Sequence, residues 1–201
     1  MTDTQPGEAP APKKARPAPG ERRLQILQAL AVLLEEPGGE RVTTAALASR
    51  LDISEAALYR QFASKAQMFE GLIGFVEDSC MGLVQQVDAR ESQPVLQVAR
   101  IVAVVLQFVE TNPGMARVLA GDALVLEHPR LQARVNLLWD KLESVFKQRL
   151  REAASPQAVP QAAVLLALVM GRVQRYARSG FQRKPTDDLT PCLACVLPGI
   201  L

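Results

Sequence analysis

A chain of 201 residues has room for one globular unit, or for a small module joined to a larger one. Its apolar share of 48% is ample for a core, yet Phe, Trp and Tyr supply only 4%, so Leu, Val and Ala must fill the interior; that favours helix on helix over a β-sandwich. A net charge of +2 is too small to indicate nucleic acid by itself, and leaves the distribution of charge to decide.

Residues 1–20, MTDTQPGEAPAPKKARPAPG, are rich in Pro and Ala and carry no apolar periodicity, so the segment is expected to be disordered. Lys13, Lys14 and Arg16, followed by Arg22 and Arg23, make it either a solubilising tail or a basic arm that tracks phosphates or enters a minor groove. It lacks the apolar run of a secretory signal. The first helix is predicted over about Glu21 to Glu35, with Leu24, Ile26, Leu27, Leu30, Ala31 and Leu34 as its packing stripe. Pro37 to Glu40 then breaks the chain.

From Val42 to Phe69 the sequence VTTAALASRLDISEAALYRQFASKAQMF reads as two short helices, a corner and the start of a third helix. Ala45, Leu47, Ala48, Leu51, Ile53, Ala57, Leu58 and Phe62 recur at three- and four-residue spacing, interrupted once at Asp52. Thr43 or Thr44 is placed to cap the first helix and Ser54 the second, while Ser64 with Gln67 forms a capping box for the next. Three caps so close together impose short helices at fixed angles, the plan of a helix-turn-helix. Its second helix presents Glu55, Ala56, Tyr59 and Arg60 opposite its apolar side. Arg60 has the fork that bonds a guanine edge, and Ala56 the methyl that touches thymine. Thr43, Thr44, Ser54, Tyr59 and Lys65 stand where hydroxyls, helix N-termini and an ammonium meet phosphates. Asp52 occupies the corner and tolerates the left-handed conformation better than most residues.

The third helix is predicted to continue from Ser64 to about Val87 on Met68, Phe69, Leu72, Ile73, Phe75, Val76 and Cys80. Val95 to Val109 is apolar enough to be buried on most sides, and Asn112-Pro113-Gly114 ends it. A shorter helix from Met115 to about Leu126 follows, then a long amphipathic one from Pro129 to about Ala153, with Arg130, Arg134, Lys141, Lys147, Arg149 and Arg151 turned outward. Gln161 to about Ser179 is the next; its segment AAVLLALVMG is too short to span a bilayer, and no membrane partner is expected. Cys192 and Cys195 form a lone C-x-x-C without further ligands and, like Cys80, read as small buried apolar residues. Three cysteines and no signal peptide fit a reducing cytoplasm. His128 reads as a loop or capping residue, and the series Arg172, Arg175, Arg178, Arg183, Lys184 either as a second basic patch or, in preference, as a solvated face. With no nucleophile beside an orienting base and no phosphate-cradling loop, neither an enzyme nor a cofactor is expected.

Tyr59, Phe62, Ser64, Lys65 and Met68 in LYRQFASKAQMF resemble the signature that closes the DNA-binding domain of TetR-family regulators. VTTAALA, SEAALYRQF, LIGFVEDS, the NPG at Asn112 to Gly114, RLQARVNLL at Arg130 to Leu138 and KPTDD at Lys184 to Asp188 are similar to the nucleoid occlusion branch of that family, over residues 21 to 190 in blocks. The resemblance implies an all-α, TetR-like fold: a tail over 1–20, a three-helix helix-turn-helix domain over 21–66, and, joined by a long helix, a larger dimerisation and partner-binding domain over 67–201. It implies a homodimer paired through the last two long helices, palindromic double-stranded DNA as one partner and the tubulin-like division protein FtsZ as the other, in the cytoplasm at the nucleoid. The partner surface is expected near the long linker helix and the one after it. There the chain keeps Phe108, Asn112 and Pro113 but departs from the pattern at Leu83, Val104, Gln107 and Thr111. The alternative is a TetR-type transcriptional repressor whose body binds a small molecule and swings the heads apart. The aliphatic body shows few convergent polar groups, so a small-molecule ligand is not expected. A purely structural helical adaptor is a third reading, if the basic positions bind no DNA.

Overall fold

The computed structural model describes residues 20–197, so the basic tail, apart from Gly20, lies outside the described residues. Among the described residues the regular structure is helical throughout: α1 (Glu21–Glu35), α2 (Thr44–Arg50), α3 (Glu55–Tyr59), α4 (Lys65–Arg90), α5 (Pro94–Thr111), α6 (Pro113–Leu119), α7 (Pro129–Glu152), α8 (Ala158–Arg178) and α9 (Leu189–Val196). Two short 3-10 turns, Gly39–Arg41 and Asp122–Leu124, interrupt the connections.

The head is α1 to α3. Ile26, Ala29, Leu30 and Leu34 are the buried face of α1, against Leu47, Ala48, Leu58 and Phe62 of the motif that follows. Leu24 does not join them: it is 48% exposed, because α1 carries a second apolar edge with Leu27, Ala31 and Val32. That edge faces the body, where α6 closes on α1. Gly114 makes this approach possible: a Cβ there would meet the Ala31 carbonyl backbone and the Leu34 side chain. Arg117, one turn on, donates from Nη1 to the Glu36 carbonyl at 2.8 Å and so closes the end of α1 from the body side.

The body is built on α4, α5, α7 and α8. α5 is long and apolar enough by length and composition to cross a membrane. Only a third of its window is fully buried, less than its composition suggests: Val98, Ile101, Val102, Val105, Leu106 and Val109 face the core. α6 is shorter than predicted because Gly121 turns left-handed (φ 83°), and a 3-10 turn replaces its last turn and a half. α8 starts earlier than predicted, since Pro160 sits in the first turn, where a missing N–H leaves no bond unmade.

Four of the six cations predicted to face outward from α7 instead grip α4. Arg130 pairs with Glu70 at 2.8 Å, Arg134 with Glu77 at 3.5 Å, Lys141 with the same Glu77, and Arg149 takes Asp88 through two bonds of 3.1 and 2.6 Å. Rising numbers on α4 meet rising numbers on α7, so the two helices run parallel. Arg149 is the most enclosed of these, its side chain 15% exposed. The hydrogen bond from Lys141, outweighing burial and helped by the charges of Lys141 and Arg134, holds the Glu77 carboxyl below its ordinary 4.5.

A carboxyl lowered in the folded state stabilises above its unfolded pKa and loses that contribution as pH falls through the lowered value. Glu77→Gln is therefore expected to cost about 1 kcal/mol at pH 7. The gap from the unchanged protein should close as the pH drops below 4.5. Urea unfolding followed on Trp139, which is 4% exposed and the only tryptophan, measures both. A gap that stays constant with pH would show that the charge of Glu77 contributes nothing.

Candidate nucleic-acid interface

The two short helices begin on side-chain caps. Thr43 is extended, and its Oγ1 accepts from the Ala46 N–H at 3.1 Å, so Thr43 rather than Thr44 caps α2. Ser54 does the same for α3, its Oγ accepting from the Ala57 N–H at 3.2 Å. Between them the chain reverses at Asp52, whose φ is 53°. The Asp52 and Ile53 N–H groups donate to the carbonyls of Ser49 (3.2 Å) and Ala48 (3.1 Å), closing α2 in a Schellman motif with aspartate where glycine is usual. Ser64 caps α4 through the Gln67 N–H at 3.2 Å, and the Gln67 side chain returns to the Ala63 N–H at 2.9 Å, one residue earlier than a standard box.

Leu58 is buried and Ala57 half-buried, and together they seat α3 on the head core. That leaves Ser54, Glu55, Ala56, Tyr59 and Arg60 on one exposed face, with Tyr59 45% exposed. Thr43 is exposed at the start of α2, beside the same face in sequence. Thr44 is half-buried, and its hydroxyl donates to Glu55 Oε2 at 2.5 Å, tying the start of α2 to the start of α3. Lys65 is differently placed from the sequence expectation. Its ammonium is bonded to Glu127, whose side chain is 14% exposed, and lies 5.7 Å from the Phe69 ring centre. It locks α4 to the loop before α7 rather than standing free for a phosphate.

Other head cations are also engaged. Arg23 stacks over the Phe62 ring at 4.0 Å and donates to the Gln61 carbonyl, and Arg50 pairs with Glu36 at 2.5 Å. Arg41 and Arg60 are exposed, and no acceptor holds either among the described residues. Arg41, in the turn just before Thr43, is not marked by the apolar pattern; its signal is a cation two residues ahead of an N-cap.

Phe108 and Asn112 lie at the end of α5. Asn112 Nδ2 donates to the Phe108 carbonyl at 2.7 Å and to Thr111 Oγ1 at 3.1 Å, which fixes the bend into α6. Phe108 is packed against the core. Asn112 also lines a groove of about 290 Å³ between α1, α4 and α6, with Leu24, Val32, Leu72, Phe75 and Met115. Phe75, read from sequence as an inner residue of α4, is 45% exposed there. A second groove of about 220 Å³ lies further along α4 and α5, lined by Leu83, Val87, Ala103 and Val104 with Arg90 and Arg100 at its edge. Leu83 and Val104, two of the departures from the family pattern, form its apolar floor.

His128 caps α7, its Nδ1 accepting from the Arg130 N–H at 3.2 Å. Cys80 is buried, and burial pushes its thiol up to about 12. Cys192 and Cys195 depart from expectation: α9 lies at the surface, so the first is half-buried and the second exposed. Among the described residues no group of three His, Cys, Asp or Glu is placed to hold a metal.

A capped helix-turn-helix on a larger helical body defines a regulator-type DNA-binding architecture, and the comparisons with known proteins make it specific. Residues 26–72 match the family described as bacterial regulatory proteins, tetR family, and residues 92–194 the tetracyclin repressor-like C-terminal domain. The chain is 45% identical to the nucleoid occlusion factor SlmA of Marinomonas sp. (strain MWYL1) over 174 residues, 83% of this chain and 88% of the relative. To the SlmA of Idiomarina loihiensis it is also 45% identical, over 84% of this chain and 90% of that one. A transcriptional regulator from Rhodococcus sp. Rha1 shares the fold, with a TM-score of 0.73 at 21% identity over 87% of this chain and 93% of that chain. The chain belongs to the TetR family and, within it, to the nucleoid occlusion factors.

The caps generate a direct expectation. Ser54→Ala removes the acceptor from the start of α3 and should cost about 1 kcal/mol of stability by urea unfolding. An unchanged midpoint would show that the cap bond contributes nothing in water.

Proposed function

We propose that two copies of this chain pair through the outer faces of α7 and α8 and bind a palindromic duplex with α3 in the major groove. DNA-bound, the homodimer then antagonises FtsZ polymerisation and Z-ring assembly over the chromosome, which places it in the cytoplasm at the nucleoid. The observation that carries this reading is the exposed face of α3, where Ala56, Tyr59 and Arg60 project away from a core that holds Leu58 fully buried. A two-fold pair would set its two α3 helices about 34 Å apart, one duplex turn. Within the interface, Arg60 and Ala56 read base edges. Thr43, Ser54, Tyr59 and Arg41 hold phosphates, and Thr44, Glu55 and Lys65 act by orienting their neighbours.

Pairing is supported by apolar side chains left without cover: Val159 (50% exposed), Val164 (51%) and Met170 (40%) along α8, with Leu137 (60%) on α7. The groove holding Phe75, Leu24 and Asn112 supports a docking surface for FtsZ between α1, α4 and the start of α6, where Asn112 is bonded back to the Phe108 carbonyl. We further propose that the DNA-binding unit ends near residue 66 and that residues 67–201 carry pairing and docking.

Arg60→Ala is expected to weaken binding to a selected palindrome by about 1–3 kcal/mol and to leave a scrambled duplex far less affected. Thr43→Ala should weaken both duplexes alike. Gel-shift titrations measure the pair, and equal losses for Arg60→Ala on both sequences would remove it as a base reader. Sedimentation of FtsZ should yield less polymer when the protein and its selected duplex are present together. An unchanged pellet would favour a ligand-responsive transcriptional repressor.

A further inference from the structure

The basic series at the end of α8 is not a uniform solvated face. Arg178 turns toward Asp122 at 3.3 Å. Arg172 points inward and donates from Nη1 to the carbonyls of Pro185 (2.8 Å) and Asp187 (2.6 Å), and from Nη2 to Cys192 Sγ at 3.0 Å. It thereby clamps the loop between α8 and α9. Ser179 Oγ accepts from the Gln182 and Arg183 N–H groups at 3.1 and 2.9 Å, and Thr186 Oγ1 donates to Glu110 at 2.5 Å. Phe181 (φ 65°) and Asp188 (φ 49°) are left-handed non-glycine residues at the two ends of this loop. The Phe181 ring is trapped between Tyr176, 5.3 Å away, and the Arg117 guanidinium at 4.9 Å. The loop is held at both ends and from beneath, and cannot relax freely.

This fixed loop forms one wall of an open hollow of about 400 Å³ against α8, within the size range of small-molecule sites. Its charged lining is Arg172, Arg175, Arg183 and Lys184 against Asp187 and Asp188. Arg172 is used up by the clamp and Lys184 lies 3.5 Å from Glu110. Arg175 and Arg183 have no acceptor among the described residues, although two acids share their cavity. Both side chains are exposed, and with Arg172 clamped and Lys184 beside Glu110 they are the lining guanidiniums left to meet an anion. The guanidinium fork matches phosphate oxygens in pairs.

We infer that this cavity binds a small phosphate-bearing molecule with at least two negative charges, gripped by Arg175 and Arg183. The site is separate from the α3 face and from the α4–α5 grooves. Arg183 comes from the loop beyond α8, so the polar groups of this site do not converge within the body helices.

Inorganic pyrophosphate is the probe, titrated into the full chain by calorimetry at constant ionic strength set with sodium chloride. Saturable binding is expected, weakened at least tenfold in the Arg175→Ala/Arg183→Ala double variant. Neither side chain has a partner to lose, so the variant's melting temperature without ligand should match the parent's. Alkylation by iodoacetamide, read by mass spectrometry, supplies an independent measure. Pyrophosphate should slow modification of Cys192, which lines the cavity, and leave the exposed Cys195 unchanged. The inference is overturned by linear, unsaturable heats, by equal affinity in the double variant, or by protection of both cysteines alike. It is also overturned if pyrophosphate does not bind and the double variant instead loses affinity for duplex DNA, which would give the two arginines to the DNA backbone.

Discussion

Everything in this chain depends on how closely α6 approaches α1. At Gly114 the absent side chain lets backbone meet backbone at Ala31, and Arg117 fastens the end of α1 through the Glu36 carbonyl. α1 is therefore shared: one edge, with Ile26, Leu30 and Leu34, is the core of the head, and the other meets the body. A small helix-turn-helix of some fifty residues buries too little apolar surface to be firmly stable alone. Here it borrows that surface from the body, and its orientation is set by the same contact.

α4 extends this arrangement. Its 26 residues span about 39 Å at the usual helical rise. Cations of α7 grip it from Glu70 to Asp88, and Lys65 ties its first turn to Glu127. Linker and body are thus joined along most of their shared length rather than at a hinge. The grooves beside α4 lie within this stiff frame, so a partner docking there meets a surface that is already shaped.

How much of this was legible in the sequence follows the range of the interactions. Ser54 and Ser64 are readable as caps, and Thr43 as one of two adjacent candidates, because each bonds a backbone group three residues away. Asp52 was readable as the corner because its conformation is local, and α1 matched its expected span for the same reason. Leu24 and Phe75 were misplaced because helical periodicity marks apolar edges without saying which of two neighbours covers them. The sequence pattern turns Arg134 and Arg149 outward, since nothing near them in the chain reveals Glu77 and Asp88. Lys65 looked free for the same reason. Within the candidate interface, the face formed by Glu55, Ala56, Tyr59 and Arg60 was visible in advance, but the Thr44 to Glu55 bond across the corner was not.

That bond has a bearing on how such a protein searches a chromosome. In the complex proposed above, Glu55 stands in the first turn of the helix offered to the duplex, and the Thr44 hydroxyl holds it there. Every random stretch of duplex meets the same repulsion there, while only a sequence that rewards the neighbouring side chains can overcome it. In that complex, an acid held in place by its neighbour disfavours every duplex equally and leaves the contrast between target and background to the side chains it orients.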